Sequence, residues 1–257
     1  MFFMYEITIF SNTQPNMNNN RFLTPIMVML ALAALTVCFS RKQDGDNRFL
    51  TYYADTKKQD IRLYWKDDAG KPLKTLQRLA DFVKGKNQRL LFAMNGGMYA
   101  AGNIPKGVYI EDAKLVTPLD TASGAGNFYI RPNGVFYITK DSIAGICTTE
   151  SFAKQAKVRY ATQSGPMLLV NRQMLPVFTK GSANVNIRNG VGILPDNRLV
   201  FVMSKEPVNF YDFAAFFQSL GCVHALYLDG YVSRTYLPAQ NWIQTDGDFG
   251  VMIGVSL

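Results

Sequence analysis

A carboxylate at the end of an apolar run is the group in this sequence best placed for acid–base chemistry. Asp229 and Gly230 follow the run Val223–Leu228, and Ser233 and Arg234 come shortly afterwards. A buried strand that ends in an acid presents it at the rim of a sheet, where it can act as an acid, a base, a nucleophile or a metal ligand. A simple Asp-Gly turn is the alternative interpretation.

A glycine pair follows a second apolar run. Asn95, Gly96 and Gly97 come directly after Leu91–Met94, and Tyr99 lies two residues further on. Glycines let backbone amides approach phosphate or sugar oxygens closely, and an asparagine side chain supplies both a donor and an acceptor. The motif therefore suits a binding loop, with an Asn-Gly hairpin turn as the alternative.

Two more polar interruptions introduce apolar segments. Ser164 and Gly165 precede Met167–Leu169 in a context that does not match the G-x-S-x-G nucleophile elbow. Ser164 can hydrogen-bond a ligand or close a turn. Arg188 precedes Val191–Ile193, and its planar guanidinium can bind a phosphate through two parallel hydrogen bonds. A surface arginine is the alternative there.

The histidine count limits the possible mechanisms. His224 is the only histidine, so His-rich zinc sites are excluded and any Ser-His or Cys-His mechanism must use this position. It lies inside an apolar run, where a core histidine is the more common role. No cofactor is predicted and no metal-ligand cluster has a recognisable spacing, although a divalent cation near Asp229 stays possible.

The elements that must position these groups are mostly strands. Short apolar runs broken by Gly, Pro, Asn and Asp predict an α+β fold with a mixed, largely antiparallel sheet core and a few packed helices. Two hairpins are predicted, one joining Phe128–Ile130 to Val135–Ile138 and one joining Val191–Leu194 to Leu199–Met203.

Helical spacing of apolar residues predicts two helices. The first runs from about Leu73 to Lys84 before Gly85. The second begins after a capping Asn209 and ends before Gly221. It feeds directly into the predicted buried strand Val223–Leu228, which carries Asp229 at its end.

The first forty residues predict export. Phe22–Phe39 is a run of about eighteen uncharged residues, long enough to fill most of a bilayer core as a helix. Residues 17–40 are interpreted as a signal peptide or anchor, residues 1–16 as a segment upstream of the true start, and residues 41–257 as one domain. Cys38 resembles the cysteine of a bacterial lipobox, but Val37 is larger than the residue normally found there. The predicted membrane contact is this segment or a lipidated Cys38.

The net charge and the cysteine content limit the partners and the cross-links that the sequence predicts. The formal net charge of +8 favours anionic partners, while scattered basic residues and the absence of a nucleic-acid motif exclude nucleic acid as the predicted ligand. Cys147 and Cys222 can pair in an oxidising compartment, or stay as two buried thiols. The sequence does not indicate an oligomeric state.

In their order and spacing these motifs resemble the phosphodiester glycosidase family. The resemblance covers about residues 89–257, and it is carried by the following segments: Asn95–Tyr99, Asn127–Phe128, Pro132–Phe136, Gln163–Leu168, Arg188, Gly192–Ile193, Gly221–Cys222 and Leu226–Gly230. Many members continue the aspartate motif as a Gly- and Ser-rich loop, whereas Tyr231–Arg234 follows here. The pocket wall is therefore expected to differ, and the identity of the sugar does not transfer.

The resemblance implies hydrolysis of a sugar-1-phosphodiester between the anomeric carbon and oxygen, with a glycan or sugar phosphate as substrate. Together with the N-terminal segment, this predicts an exported hydrolase. The resemblance also implies catalytic roles for Asp229, Arg188 and Asn95, with Arg188 and the amides of residues 95–97 stabilising the departing phosphate. The implied substrate-binding residues are Gly96, Gly97, Tyr99, Ser164, Gly165, Gly230, Ser233 and Arg234. Two alternatives stay open: a non-catalytic envelope module that binds anionic glycans, and a hydrolase that uses Ser164 with His224.

Overall fold

Short strands dominate the fold, as the spacing of the turn residues predicts. The computed structural model describes residues 46–257, and the predicted signal or anchor segment with Cys38 lies outside the described residues. The strands are β1 (Phe49–Ala54), β2 (Asp60–Tyr64), β3 (Leu90–Asn95), β4 (Tyr99–Ala100), β5 (Ile104–Pro105), β6 (Tyr109–Glu111), β7 (Lys114–Thr117), β8 (Gly134–Thr139), β9 (Ala144–Thr148), β10 (Val158–Ser164), β11 (Met167–Val170), β12 (Gln173–Met174), β13 (Asn189–Ile193), β14 (Leu199–Ser204), β15 (His224–Asp229), β16 (Thr235–Leu237), β17 (Trp242–Ile243) and β18 (Met252–Ser256).

These strands form three main sheets and one small ribbon. The six-stranded sheet has the order β1-β14-β13-β15-β11-β12, the β10 sheet has the order β7-β6-β10-β8-β9, and the β3 sheet has the order β17-β16-β3-β18-β2. β4 and β5 form the ribbon. Every strand pairing in the described part of the chain is antiparallel, which confirms the predicted α+β fold with a largely antiparallel core.

The second predicted hairpin is confirmed and the first is wrong. β13 and β14 pair across the predicted turn, with Val191 opposite Phe201. In contrast, Asn127–Tyr129 forms a 3₁₀ helix instead of a strand. β8 is paired on both edges, with β9 on one side and β10 on the other, so no edge is left for the segment before it.

Three α-helices pack against the sheets. They are α1 (Leu76–Gly85), α2 (Thr149–Phe152) and α3 (Phe210–Ser219). α1 begins three residues later than predicted, because Thr75 caps it by accepting a hydrogen bond from the Arg78 amide at 3.1 Å. α3 matches its prediction, with the Asn209 side chain accepting from the Asp212 amide. The short helix α2 was not predicted.

The three sheets meet around one aromatic residue. Phe201 on β14 lies 5.2 Å from the ring of Phe92 on β3 and 6.1 Å from the ring of Phe136 on β8. All three rings are buried, so one apolar core joins the sheets. Residues 46–257 form one compact unit. Within this range, the helices are all too short or too polar to cross a membrane.

Candidate active site

Asp229 ends β15, a strand held between β13 and β11 near the middle of the six-stranded sheet. Its Oδ1 accepts hydrogen bonds from the Gly230 amide at 2.7 Å and the Tyr231 amide at 3.3 Å. Burial nevertheless raises the pKa of Asp229 to about 6, because water no longer stabilises the charged form and no nearby cation of the described residues compensates. A carboxyl of this kind exchanges a proton near neutral pH.

Two buried asparagines connect the ends of three strands next to this carboxyl. The Oδ1 of Asn189 on β13 accepts a hydrogen bond from the Asp229 backbone amide at 2.9 Å. The Nδ2 of Asn189 donates a hydrogen bond to the Oδ1 of Asn95 on β3, also at 2.9 Å. The Arg234 amide donates to the same Asn95 oxygen at 3.0 Å. The predicted residues Asn95 and Asp229, which are far apart in the sequence, are thus linked through Asn189.

The side-chain amide of Asn95 keeps one donor unused. Asn95 is 1 % exposed, and its Nδ2 has no hydrogen-bond partner among the described residues. Because its Oδ1 already accepts from two donors, the amide orientation is fixed and the unpaired atom is the nitrogen. A buried donor without a partner costs about 1–3 kcal/mol, which an acceptor oxygen on a ligand would recover.

The Tyr227 hydroxyl packs against Gly230, the residue that follows Asp229. A Cβ on Gly230 would fall 1.8 Å from the Tyr227 hydroxyl oxygen, so the absence of a side chain at Gly230 makes room for it. The hydroxyl is hydrogen-bonded by Arg188 Nη1 at 3.4 Å and by Asn127, and burial is the main cause that raises its pKa. No sequence motif marks Tyr227, although the alternation of a strand places residues two apart, such as Tyr227 and Asp229, on the same face.

Arg188 approaches the site from within the protein. The residue is 0 % exposed, its Nε donates to the Val208 carbonyl at 2.8 Å, and its Nη2 donates to the Asn184 carbonyl at 2.8 Å. Its guanidinium lies 3.7 Å from the Phe210 ring centroid, and burial lowers its pKa. The exposed guanidinium clamp expected from the sequence is therefore not observed, and Arg188 reaches the site through Tyr227.

The glycine pair packs against neighbouring strands. The Gly96 amide donates to the Val251 carbonyl at 2.8 Å, so it is not free to bind a phosphate oxygen as predicted. A Cβ would lie 2.7 Å from Ile253 Cγ1 at Gly96 and 2.5 Å from Thr162 Oγ1 at Gly97. Both glycines are thus explained by close backbone approach.

Tyr99 is the aromatic residue that this loop brings to the site. Its side chain is half-buried, and burial followed by the charge of Asp229 raises the pKa of its hydroxyl. Asp248 adds a smaller effect of the same sign. Tyr99 is therefore close enough to Asp229 for the charge of the carboxylate to affect its hydroxyl.

The other predicted residues divide between the site and its support. Ser233 donates to the Asp229 carbonyl at 2.8 Å. Arg234 is partly exposed beside the site, and its Nε lies 2.9 Å from each carboxylate oxygen of Asp246. Ser164 is fully buried and donates to the Leu228 carbonyl at 2.6 Å, which supports β15 from below.

Gly165 also supports the site by close packing. A Cβ there would lie 2.7 Å from both the Asn133 Cβ and the Phe128 carbonyl oxygen. Ser164 and Gly165 therefore position strands, while Ser233 and Arg234 surround the carboxyl and the Asn95 amide.

The family model described as phosphodiester glycosidase matches residues 88–255. The chain belongs to the phosphodiester glycosidase family. The matched range contains all the predicted site residues, and it begins before β3 and ends within β18.

A curated sequence and several solved structures are similar to this family member. An Escherichia coli K12 protein, the uncharacterized YigE, is 38 % identical over 212 residues, which is 82 % of this chain and 83 % of YigE. The zebrafish N-acetylglucosamine-1-phosphodiester alpha-N-acetylglucosaminidase catalytic domain aligns with a TM-score of 0.52 at 16 % identity, covering 83 % of this chain and 89 % of that domain. A hypothetical protein from Synechocystis aligns with a TM-score of 0.53 at 13 % identity, covering 81 % and 59 %. At these identities the structures show a shared fold.

This phosphodiester glycosidase family member does not contain the Ser-His pair. Ser164 hydrogen-bonds the carbonyl of Leu228, whereas His224 begins β15 about 13 Å away along the strand. The His224 Nδ1 accepts from the Asn171 amide at 3.4 Å, and burial lowers its pKa. The alternative of a hydrolase that uses Ser164 with His224 is therefore wrong.

The cysteines of the family domain are both free thiols. Cys222 is buried and Cys147 is half-buried, and burial raises their pKa values to about 12 and about 11. The interpretation as small apolar residues therefore fits better than the disulfide. Among residues 46–257, no three His, Cys, Asp or Glu side chains cluster closely enough to hold a metal ion.

Proposed function

We propose that this chain hydrolyses sugar-1-phosphodiesters at the bond between the anomeric carbon and the oxygen of the phosphate. Membership of the phosphodiester glycosidase family supports the reaction class. The observation that carries the proposal is Asp229, a partly buried carboxyl at a strand end whose pKa burial raises to about 6. An acid with this pKa is well suited to proton transfer near neutral pH.

In the proposed reaction Asp229 acts as a base. Water attacks the anomeric carbon, its proton passes to the Asp229 carboxylate, and the bond from carbon to the phosphate oxygen breaks with its electron pair going to the phosphate. The products are a free sugar and a phosphate monoester. A phosphate monoester is a weakly basic leaving group, with a second pKa of about 6, so it departs without a strong general acid. A single carboxyl therefore suffices, in contrast to the carboxyl pair of most glycosidases.

Neighbouring groups orient the substrate in this proposal. The unpaired Asn95 Nδ2 donates to a substrate oxygen, since it has no other acceptor among the described residues. Tyr99 contributes an aromatic ring and a hydroxyl whose pKa responds to the charge of Asp229. Arg188 hydrogen-bonds the Tyr227 hydroxyl, which packs against Gly230, and is a positioning residue.

The test is a product assay on the purified chain. Methyl phosphodiesters of several α-sugar 1-phosphates, including N-acetylglucosamine 1-phosphate, are incubated with wild type, Asp229→Asn and Asp196→Asn, with and without a chelator. Asp196 is a matched control because it is an exposed aspartate in the turn between β13 and β14. Asp229→Asn should lose about 100-fold to 10 000-fold in turnover, and Asp196→Asn should match wild type. Full activity of Asp229→Asn would overturn the site assignment.

A non-catalytic glycan-binding module is the second candidate. Tyr231 favours it, because this residue directly after the aspartate motif is 93 % exposed and offers a ring on which a sugar can stack. Under this alternative, calorimetry detects binding of the diesters by wild type and by Asp229→Asn alike, and neither protein releases free sugar.

We also propose that the chain is exported and acts on envelope or extracellular glycans. The support is the uncharged run Phe22–Phe39 with Arg21 before it and Arg41 after it. Mass spectrometry of the N-terminus of the protein from each cell fraction tests this. Cleavage next to Cys38 with an added lipid mass, or cleavage elsewhere near residue 40, supports export by a lipid anchor or a signal peptide. An intact N-terminus on protein found only in the cytoplasm would contradict export.

A further inference from the structure

We infer that Lys106 binds the phosphate of the substrate and selects anionic substrates over neutral glycosides. The inference rests on the proposed function, because it assigns the phosphate side of that site. Nothing in the sequence motifs marks Lys106, which lies in the loop between β5 and β6.

The cations expected to bind the phosphate are engaged elsewhere. Arg188 is fully buried, and its Nε, Nη1 and Nη2 all donate to protein oxygens. Arg234 directs its Nε to Asp246 and its Nη1 to the Ser233 carbonyl. The Gly96 amide is bonded to Val251. A phosphodiester carries a negative charge, so a further positive group that faces it would strengthen its binding.

The ammonium group of Lys106 is available to bind an anion. No carboxylate of residues 46–257 forms a salt bridge with it. Its Nζ lies 4.5 Å from the ring centroid of Tyr129 and 4.9 Å from that of Phe128. These aromatic faces hold the ammonium in place without neutralising it, and its three N–H donors are left for an anion.

The loop that carries Lys106 is fixed in position. The Lys106 amide donates to the Met98 carbonyl at 3.0 Å, and the Val108 amide donates to Gln163 Oε1 at 3.0 Å. Between them, Gly107 has φ +72°, and a Cβ there would lie 2.3 Å from the same Gln163 oxygen. The ammonium is thus presented from a rigid backbone, which lowers the entropy lost on binding.

Two residues that contact Lys106, Met98 and Phe128, lie in segments that are connected to the surroundings of Asp229. On one side Met98 precedes Tyr99, whose hydroxyl responds to the charge of Asp229. On the other side Phe128 follows Asn127, which hydrogen-bonds Tyr227, and the Tyr227 hydroxyl lies against Gly230. Lys106 therefore lies between the segment that carries Tyr99 and the 3₁₀ helix Asn127–Tyr129, and both are connected to residues next to Asp229.

The kinetic test compares Lys106→Gln, Lys106→Arg and Lys180→Gln in the full chain. Lys180 is an exposed lysine that makes no salt bridge within residues 46–257, and it serves as the control. The substrates are the methyl phosphodiester of N-acetylglucosamine 1-phosphate and the neutral p-nitrophenyl glycoside of the same sugar. Lys106→Gln should raise KM for the diester about tenfold to 100-fold, the worth of a charged hydrogen bond, with KM for the neutral glycoside unchanged. Lys106→Arg should recover most of the loss. An equal loss on both substrates, or no loss, would overturn the inference.

A second measurement does not depend on turnover. Wild type is treated with acetic anhydride with and without inorganic phosphate, and acetylation of each lysine is read by peptide mass spectrometry. Phosphate should slow acetylation of Lys106 several-fold and leave Lys180 unaffected. Equal rates at Lys106 with and without phosphate would overturn the inference. If phosphate protects Lys106 from acetylation but the protein cleaves no diester, the proposed reaction is contradicted while the anion site at Lys106 is supported.

Discussion

At the scale of single residues, Asp229 opposes folding at neutral pH. An unfolded aspartate has a pKa of about 3.9, and burial raises the pKa of Asp229 in the folded chain to about 6. The folded state therefore binds the proton more tightly, and stability is lost as the pH rises from about 4 through 6. A residue that costs stability where it is charged is commonly kept for its chemistry.

We therefore predict that Asp229→Asn stabilises the protein at pH 7 while it inactivates it. The gain should be about 2–3 kcal/mol, because one pKa unit corresponds to about 1.4 kcal/mol, and Asn keeps the oxygen that accepts from the amides of Gly230 and Tyr231. Near pH 4 the difference should almost vanish. Urea unfolding of both proteins at the two pH values measures this, and an equal difference at both would show that the carboxyl charge is not its cause.

The same proton affinity predicts the direction of the rate profile. If Asp229 acts as a base, only its ionised form is active, so kcat/KM for a sugar-1-phosphodiester should rise with pH through about 6 and then level off. The measurement is the rate between pH 4 and pH 8 at low substrate concentration. A rate that falls as the pH rises through 6 would instead assign Asp229 the role of an acid.

Arg188 is expected to matter for folding as much as for catalysis. Arg188→Met leaves the Val208 and Asn184 carbonyls without their donor, which should cost about 2–4 kcal/mol. Arg188→Lys should recover little, since an ammonium cannot reproduce the planar set of donors. Arg198→Met is the matched control on an exposed arginine, and it should change stability by less than about 0.5 kcal/mol. Equal unfolding midpoints for Arg188→Met and Arg198→Met would contradict the buried role.

At the scale of elements, the end of β15 and the turn after it depend on one close contact. Gly230→Ala places a Cβ 1.8 Å from the Tyr227 hydroxyl oxygen, whereas the next Tyr227 atom is 2.9 Å away. The single variant should therefore be strongly destabilised. Tyr227→Phe removes the hydroxyl oxygen that makes this contact. The double variant Gly230→Ala/Tyr227→Phe should therefore recover about 1–3 kcal/mol of the stability lost in Gly230→Ala. Thermal unfolding of the four proteins gives the coupling, and strictly additive effects would show that the two residues do not compete for this space.

The elements that were predicted correctly are those whose signals are local. α3 has its own capping residue, and the β13–β14 hairpin has its own turn. The segment Asn127–Tyr129 failed because β8 already has strands on both edges, a fact that depends on the whole sheet. α1 begins later than the apolar spacing predicts because Thr75 caps its first turn.

The residues of the candidate site also divide into those with a local sequence signal and those whose role depends on distant contacts. Asp229 was found because a polar residue ends an apolar strand, and Asn95 because it precedes a glycine pair. The sequence could not show that the Arg188 donors all turn inward, since this depends on contacts with residues far along the chain such as Tyr227. Lys106 has no sequence signal, because a single lysine in a loop looks like any surface cation until the rings around it are known.

At the scale of the whole molecule, the charge should act on substrate capture over a distance. The formal net charge is +8, and a positive field raises the encounter rate with an anion without changing the chemical step. Salt shortens the range of this field, from a Debye length of about 10 Å at 0.1 M to about 3 Å at 1 M. Capture of an anionic diester is therefore expected to weaken as salt is added.

This gives a prediction that separates the field of the molecule from the local contact at Lys106. Between about 0.02 M and 0.5 M sodium chloride, kcat/KM for the methyl phosphodiester should fall several-fold with kcat unchanged, and the value for the neutral p-nitrophenyl glycoside should stay constant. Lys106→Gln should start from a lower value and show a shallower decrease, because one local charge is gone while the other cations still act at long range. If the kcat/KM of Lys106→Gln decreases with salt as steeply as that of wild type, Lys106 does not contribute to attracting the anionic substrate. A variant with no salt dependence would mean that this lysine alone, and not the charge of the whole chain, attracts the substrate.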